Sequence, residues 1–234
     1  MPDELVQYEL NDSVAVLRID DGKANAVSHT FIEAVNAGLD RAAQEARAAV
    51  IVGRPNRFSA GFDLSVVRDG GPEAARALVT AGAKMLMKMY VHPQPLLIAC
   101  TGHAIAAGAL MLLAADTRIG AEGDFKIGLN EVAIGMTLPH FLVTLAHERL
   151  SKRHLTQATI QSRLYDPVTA VDAGFLDSVC PAATLVEETL KEASRLAELR
   201  TEIYRDAKMR NRGAVVEEVR RTLQDDLGRL MPST

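Results

Sequence analysis

The sequence predicts an α/β fold in which strand-strand-helix (ββα) units follow one another as turns of a layered spiral. Short apolar runs typical of buried strands alternate with segments of helical periodicity along most of the 234 residues. The order strand, turn, strand, helix recurs several times. This recurrence favours a spiral over a single doubly wound sheet, although no internal repeat is visible residue by residue. With 48% hydrophobic residues, the chain can bury the core of one globular unit of ordinary size.

The first half of the chain begins with a predicted hairpin and then alternates helices with strands. Predicted in order are strands at 5–10 and 14–19, a helix at 29–45, a strand at 48–53, a helix at 72–90 and a strand at 96–100. Alternating apolar and polar residues indicate the hairpin strands, and continuous apolar runs indicate the two later strands. Ser28 is a suitable N-cap for the first helix, and Pro72 suits the first turn of the second.

The second half continues the alternation and then becomes helical. Predicted in order are a turn at 101–103, a helix from Ala106 to the residue before Asp116, strands at 117–121 and 125–129, helices at 139–150 and 151–160, a short helix around Ala170, a strand ending at Val179, and helices from Thr184 onward. One apolar face of the last region is expected to meet a partner chain, and it carries Leu185, Leu190, Leu196 and Leu199. Residues 205–208 are predicted to form a solvated helix face, with a contact to a phosphate of a neighbouring ligand as the alternative.

Composition and charge narrow the classes of function. The formal net charge is -4 and no stripe of clustered Lys and Arg is present, which argues against nucleic acid as the main partner. The first four residues are acidic rather than a charged and then apolar leader, so a cytoplasmic protein is expected. The longest uncharged run, residues 104–115, is too short to span a bilayer, so no membrane partner is expected.

The chain contains two cysteines, Cys100 and Cys180, and both lie within or beside apolar runs. This placement favours two reduced, buried thiols over a disulfide or a metal site. We therefore expect no metal centre.

Two stretches rich in small residues leave backbone N–H groups accessible. Gly61 lets the backbone bend so that the N–H of Phe62 turns outward, although a plain glycine turn explains the same residues. The first turn of the helix at Ala106 has almost no side chain, so its free N–H groups can hold negative charge. Close packing of that helix on its neighbours is the alternative. The loop at Lys23 and Ala24 is either a connector or a contact for a phosphate-bearing ligand.

Three motifs in order resemble the crotonase, or enoyl-CoA hydratase/isomerase, superfamily (ClpP/crotonase-like fold). They are FSAGFDL at residues 58–64, GHAIAAGA at 102–109 with AAD at 114–116, and GLNEVAIG at 128–135. The resemblance implies a crotonase spiral core over residues 1–180 and a C-terminal helical trimerisation region over residues 181–234. It also implies acyl-CoA thioester substrates of fatty-acid metabolism, no cofactor apart from the coenzyme A of the substrate, and assembly as a homotrimer or a dimer of trimers.

The resemblance also assigns the site residues. The N–H groups of Phe62 and Ala107 correspond to the oxyanion hole that binds the thioester oxygen, the carbonyls near Ser59 and Ala60 to contacts of the adenine, and Lys23 with Ala24 to contacts of the pantetheine or phosphates. The remaining expected substrate contacts are Gly61, Asp63, Leu64, Gly108 and Leu110. From its sequence context alone, Asp63 is instead expected to be a local cap or an ion-pair partner. A lysine that follows the first motif in some relatives is Ser65 here.

The number of acidic residues at the catalytic positions of the family predicts the type of reaction. Family hydratases use two glutamates, and the two positions fall here on Leu110, which cannot transfer a proton, and on Glu131. One carboxylate suffices for a 1,3-proton shift from C2 to C4, so the sequence favours a Δ3,Δ2-enoyl-CoA isomerase. Two alternatives stay open: a hydratase that recruits another acid, such as Asp63 or one on a mobile loop, and an acyl-CoA-binding protein without turnover.

Glu131 is thus the expected catalytic base, with a raised pKa among apolar neighbours. A surface carboxylate or a helix N-terminal acid is the alternative interpretation of this residue. His103 and His140 are expected to be packed or solvated rather than catalytic, because neither lies at a catalytic position of the family.

Overall fold

The computed structural model describes residues 5–136 and 138–229. The acidic start at residues 1–4, from which a cytoplasmic protein was inferred, lies outside the described residues. In chain order, the strands are β1 (Val6–Asn11), β2 (Val14–Ile19), β3 (Ala26–Val27), β4 (Ala48–Val52), β5 (Asn56–Ser59), β6 (Gly61–Phe62), β7 (Leu96–Cys100), β8 (Gly102–Ile105), β9 (Thr117–Ala121), β10 (Ile127–Gly128) and β11 (Ser178–Cys180).

Helices follow most of the strand pairs. They are α1 (His29–Glu45), α2 (Leu64–Asp69), α3 (Gly71–Tyr90), α4 (Ala107–Ala114), α5 (His140–Arg149), α6 (Leu155–Thr159), α7 (Pro167–Ala173), α8 (Leu185–Ala197) and α9 (Thr201–Arg229), with a 3₁₀ helix at Val132–Ile134. Helix α1 begins as expected, because the Ser28 side chain accepts a hydrogen bond from the Phe31 N–H.

Each turn of the spiral contributes one strand to a large sheet and one to a smaller sheet. The large sheet has the order β1-β2-β4-β7-β9-β11, and apart from the antiparallel pair β1-β2 its neighbours are parallel. The strands that follow β4, β7 and β9 in the chain form the small sheet β10-β8-β5. This arrangement confirms the predicted spiral of ββα units.

Helices cover both faces of the large sheet. One face packs against a core that includes α1, α3 and α4, and the other packs against α8. Leu185 of α8 is buried against the sheet together with Ala193 and Ala197. The prediction that this apolar face meets a partner chain is therefore wrong for Leu185, and Leu190 and Leu196 also pack against the same cluster, because α8 covers the second face of the sheet. Leu199 is exposed.

Helix α9 is anchored to the body by buried charges. Lys208 Nζ lies 2.6 Å from Asp116 Oδ2 and also donates to the backbone carbonyl of His92 at 2.6 Å. Arg212 Nη1 lies 2.7 Å from Asp116 Oδ1. The predicted solvated face at residues 205–208 is thus wrong at Lys208, since a buried carboxylate requires cations beside it. The Arg205 side chain remains exposed.

The predicted turn at residues 101–103 is also wrong, because Gly102 begins strand β8. A side chain at Gly102 would overlap the backbone of Asn56, so this glycine permits a close approach of β8 to β5 rather than a reversal. Helix α2 was not predicted either, although Asp63, which was expected to be a local cap, is its N-cap.

Cys100 is buried as expected, whereas Cys180 is only half-buried, and neither forms a disulfide. Burial raises the pKa of the Cys100 thiol to about 12. Across the described residues there is no group of three or more side chains suited to hold a metal ion. No helix in this part of the chain combines the length and apolarity needed to cross a membrane.

Candidate active site

Gly61 brings the first motif against the start of α4. Its φ of +93° is in the region that favours glycine. A Cβ atom at this position would lie 2.8 Å from Ala106 Cβ, 2.9 Å from the Ile105 carbonyl oxygen and 3.2 Å from the Ala107 nitrogen. Only glycine therefore allows this contact. The amides of Phe62 and Ala107, the two expected oxyanion-hole donors, follow directly on each side of it.

The start of α4 is strained. Ala106, its N-cap, has φ 52° and ψ -122°, a conformation that residues with a side chain rarely adopt. Its N–H donates to the Gly128 carbonyl at 3.0 Å, which ties the strained residue to strand β10. Ala107 is the first residue of the helix, so its N–H has no acceptor within α4. The strained residue thus directly precedes an N–H group that has no acceptor within its own helix.

Small residues bring the expected coenzyme contacts together. A Cβ at Gly108 would lie 2.5 Å from the Ser59 carbonyl oxygen, so α4 packs directly on the first motif. The Ser59 hydroxyl donates to the Asn25 carbonyl at 2.7 Å, and the Ala60 N–H donates to the Ala24 carbonyl at 3.0 Å. The loop that contains Lys23 and Ala24 therefore lies against Ser59 and Ala60.

Asn25 holds that loop in place, and sequence reasoning missed it. It is fully buried with φ 50°, and its amide nitrogen donates to the carbonyls of Ile19 and Phe58, each at 3.0 Å. Its Oδ1 accepts from the Asp21 N–H at 2.9 Å. The available signal was the residue type, because asparagine tolerates positive φ and bonds to nearby backbone.

The other expected substrate contacts have varied surroundings. The Lys23 carbonyl accepts from Arg54 Nη1 at 2.5 Å, and Leu64 is exposed. Asp63 accepts from the N–H of Ser65 at 2.9 Å and from its hydroxyl at 2.6 Å, which confirms the local cap. Leu110 is fully buried within α4. Their roles toward a substrate stay predictions.

Glu131 is buried, with only 7% of its surface exposed, so the interpretation as a surface carboxylate is wrong. Burial raises the pKa of its carboxyl to about 7. Within the described residues, Oε2 has no hydrogen-bond partner. Although Glu131 precedes the 3₁₀ helix, its side chain makes no capping hydrogen bond. This is a carboxyl that can exchange a proton near neutral pH.

The small sheet joins the strand that precedes Glu131 to the strand that leads into Ala106. Strand β10 pairs with β8 in parallel, with Gly128 opposite Ile105, and the Gly128 carbonyl accepts from Ala106. Glu131 lies three residues after Gly128 in the chain, and Ala107 lies one residue after Ala106. The three motifs therefore converge, although they are far apart in sequence.

The two histidines fit the expectation of packed or solvated side chains. His103 Nδ1 accepts from the Lys126 N–H at 3.0 Å, and its ring meets Phe125 edge-on with centroids 5.5 Å apart. His140 is exposed, with its Nε2 3.6 Å from a carboxylate oxygen of Glu218.

The spiral is the fold of crotonase-type proteins. A solved structure of an enoyl-CoA hydratase/isomerase family protein from Pseudomonas syringae superposes with a TM-score of 0.96 and 38% identity, over 99% of this chain and 100% of that one. The chain belongs to this family, because the model described as "Enoyl-CoA hydratase/isomerase" matches residues 9–228.

Relatives of known name carry both activities. A rat protein named mitochondrial enoyl-CoA delta isomerase 1 is 28% identical over 181 residues, which are 76% of this chain and 63% of the rat protein. A Bacillus subtilis protein named a probable enoyl-CoA hydratase is 29% identical over 195 residues, 82% of this chain and 74% of that protein. The match thus spans less than two thirds of the rat isomerase, and the names do not distinguish isomerase from hydratase.

Proposed function

We propose that this protein is an enoyl-CoA isomerase that moves a double bond from the Δ3 to the Δ2 position of an acyl-CoA thioester. The observation that carries the proposal is Glu131, a buried carboxyl with a pKa near 7 and with one oxygen that has no hydrogen-bond partner among the described residues. The position at which family hydratases carry their second acid is Leu110, an apolar and fully buried side chain. One base without a second acid suits a proton shift and not the addition of water.

In the proposed reaction the thioester oxygen accepts hydrogen bonds from the N–H groups of Phe62 and Ala107. Glu131 removes a proton from C2, the electron pair moves onto the thioester oxygen as an enolate, and the protonated Glu131 returns the proton at C4. Donors that are already oriented stabilise such an oxyanion by about 3 kcal/mol each where water is excluded. The base contributes a further rate factor on the order of 10² to 10⁴.

The substrate contacts and the assembly belong to the same proposal. Lys23, Ala24, Ser59 and Ala60 would bind the coenzyme A part, and the homotrimer or dimer of trimers would form through the C-terminal region. No separate cofactor takes part, because the coenzyme is carried by the substrate. The packing of the Lys23 loop against Ser59 and Ala60 supports a shared coenzyme site.

The test is conversion of matched 3-enoyl-CoA and 2-enoyl-CoA by the purified protein and by Glu131→Gln. We expect the native chain to convert 3-enoyl-CoA to 2-enoyl-CoA, with kcat rising as the pH passes about 7 because Glu131 must be ionised. Glu131→Gln should lose at least about 10³-fold in kcat, while still binding coenzyme A, because the amide cannot accept the proton.

Two other results would contradict the proposal. Water addition to 2-enoyl-CoA without isomerisation would show a second acid and a hydratase. Binding of both thioesters without turnover would show an acyl-CoA-binding protein. Asp63 does not favour the hydratase alternative, in which it would be the second acid, because its carboxylate already accepts hydrogen bonds from the N–H and the hydroxyl of Ser65.

A further inference from the structure

The turn that carries Glu131 is held at both of its ends by one later segment, residues 162–165. At the first end, the N–H of Ile127 donates to the Tyr165 carbonyl and the N–H of Tyr165 donates back to the Ile127 carbonyl, both at 2.9 Å. At the second end, the N–H of Ala133 donates to the Ser162 hydroxyl oxygen at 3.0 Å. Glu131 lies between these two attachments.

Ser162 reaches Ala133 because the backbone reverses at this residue. Its φ is 51°, in the left-handed region that a residue with a side chain adopts only when its surroundings enforce it. The next residue, Arg163, donates its N–H to the Gln157 carbonyl at 2.9 Å, which ties the reversal back to α6. The enforced conformation directs the serine hydroxyl to the turn of Glu131.

The donor that Ser162 occupies is the one that a helix-capping side chain would take. Ala133 is the second residue of the 3₁₀ helix, and the side chain at an N-cap normally accepts from the second or third N–H of its helix. The N-cap here is Glu131, which makes no such bond. Burial raises the pKa of the Glu131 carboxyl, and hydrogen bonds from the backbone amides of Glu131 and Asn130 lower it by less.

We propose that Ser162 is a positioning residue: by accepting the Ala133 N–H, it prevents the Glu131 carboxylate from capping its own helix and keeps that carboxylate free for the substrate. This inference rests on the proposed role of Glu131 as the base. Without the serine oxygen, the carboxylate would have a charge-assisted hydrogen bond available within its own turn. That bond would stabilise the ionised form and draw the carboxylate away from C2.

The test compares Ser162→Gly with the native chain. Glycine accepts the left-handed backbone without strain and removes only the hydroxyl, so the fold should remain. We expect kcat with 3-enoyl-CoA to fall about 10- to 100-fold with KM changed less than about twofold, because a misplaced base affects the chemical step. The pH at which kcat is half-maximal should fall, and exchange of the Ala133 amide hydrogen should accelerate.

Two further variants make the result specific. Asp12→Gly is the matched control, because Asp12 also has a positive φ of 53° but lies in the β1-β2 turn, and it should leave kcat unchanged. Ser162→Asn retains a side-chain oxygen and tolerates positive φ, so it should recover part of the lost kcat.

The outcomes separate this inference from the proposed function. A native kcat and a native pH midpoint in Ser162→Gly, with Glu131→Gln inactive, would overturn the positioning role and leave the base intact. A lower melting temperature with an unchanged pH midpoint would make Ser162 merely structural and would also overturn it. Full activity of Glu131→Gln would show that Glu131 is not the base. The positioning role of Ser162 would then be wrong as well.

Discussion

Glu131 and Asp116 are two buried carboxylates with opposite surroundings. Glu131 is 7% exposed, and one of its oxygens has no hydrogen-bond partner in the described part of the chain. The Asp116 side chain is also 7% exposed, yet it pairs with Lys208 at 2.6 Å and Arg212 at 2.7 Å and accepts from the Leu96 N–H at 2.8 Å. Two carboxyl groups that are both largely shielded from water therefore form two different kinds of site.

The difference lies in how the cost of removing charge from water is offset. Around Asp116, cations from α9 offset the free-energy cost of burying the carboxylate. Burial also disfavours the charged form of Lys208, because it lowers the pKa of this lysine to about 8. Around Glu131 no such cation contributes to the raised pKa, so the ionised form is disfavoured and the proton exchanges near neutrality. The Asp116 cluster fixes a helix, whereas the surroundings of Glu131 leave its carboxyl able to exchange a proton near neutral pH.

The largest expected effect on stability comes from removing the charge of Asp116. Asp116→Asn leaves two buried cations without their anion, so the free energy of unfolding should fall by about 3–5 kcal/mol. Urea denaturation measures it. Asp69→Asn is the control, because Asp69 and Arg68 form an exposed pair, and it should cost less than about 1 kcal/mol. Equal losses in the two variants would refute the comparison.

Replacing Glu131 should have a smaller effect on the free energy of unfolding, and of opposite sign. Its pKa is about 7 when folded against an ordinary value of 4.5, so the folded state binds the proton more tightly. The stabilising contribution of protonated Glu131 is complete below pH about 4.5 and is lost as the pH rises through 7. Glu131→Gln should therefore be more stable than the native chain by up to about 3 kcal/mol at pH 9, with no such gain at pH 4.5.

Urea unfolding of both proteins across this pH range measures that difference. A gap between native and Glu131→Gln that stays constant from pH 4.5 to 9 would show that Glu131 is not titrating in a desolvated site. The two carboxylates would then differ less than their surroundings suggest.

The smallest expected effect on the free energy of unfolding concerns Ala106, the strained residue at the start of α4. Ala106→Gly relieves the backbone strain at φ 52° and also raises the entropy of the unfolded chain, so the two terms nearly cancel. The free energy of unfolding should change by less than about 1 kcal/mol in thermal or urea denaturation. A loss above about 2 kcal/mol would mean that the Ala106 methyl group packs in a way that outweighs its strain.

Sequence patterns predicted several elements of the large sheet and of the layer that covers it. β2, α1 and β7 have the predicted bounds, because α1 has helical periodicity, β2 follows a hairpin turn and β7 is a continuous apolar run. β8 and α2 were missed. Gly102 was interpreted as a turn because its close neighbour, Asn56, is distant in sequence. A local pattern cannot reveal which backbone a glycine will touch.

The raised pKa of Glu131 was predicted from the sequence, but its physical cause was not. It was expected from apolar neighbours along the chain, yet Val132 and Ile134 are exposed. The burial of this carboxyl therefore depends on the fold, in a turn whose two ends are bonded to residues 162–165 from a later part of the chain. Lys208 was similarly misjudged, because its partner Asp116 is 92 positions away.

That separation also has a consequence for synthesis. A ribosome adding about 5–20 residues per second delivers Asp116 roughly 5–20 seconds before Lys208. During this interval the residues of β1, β2, β4 and β7 have been synthesised, but Asp116 lacks the two cations that α9 supplies. Water must hydrate its carboxylate until Lys208 and Arg212 reach it, so α9 docks after the strands beside Asp116 have been made.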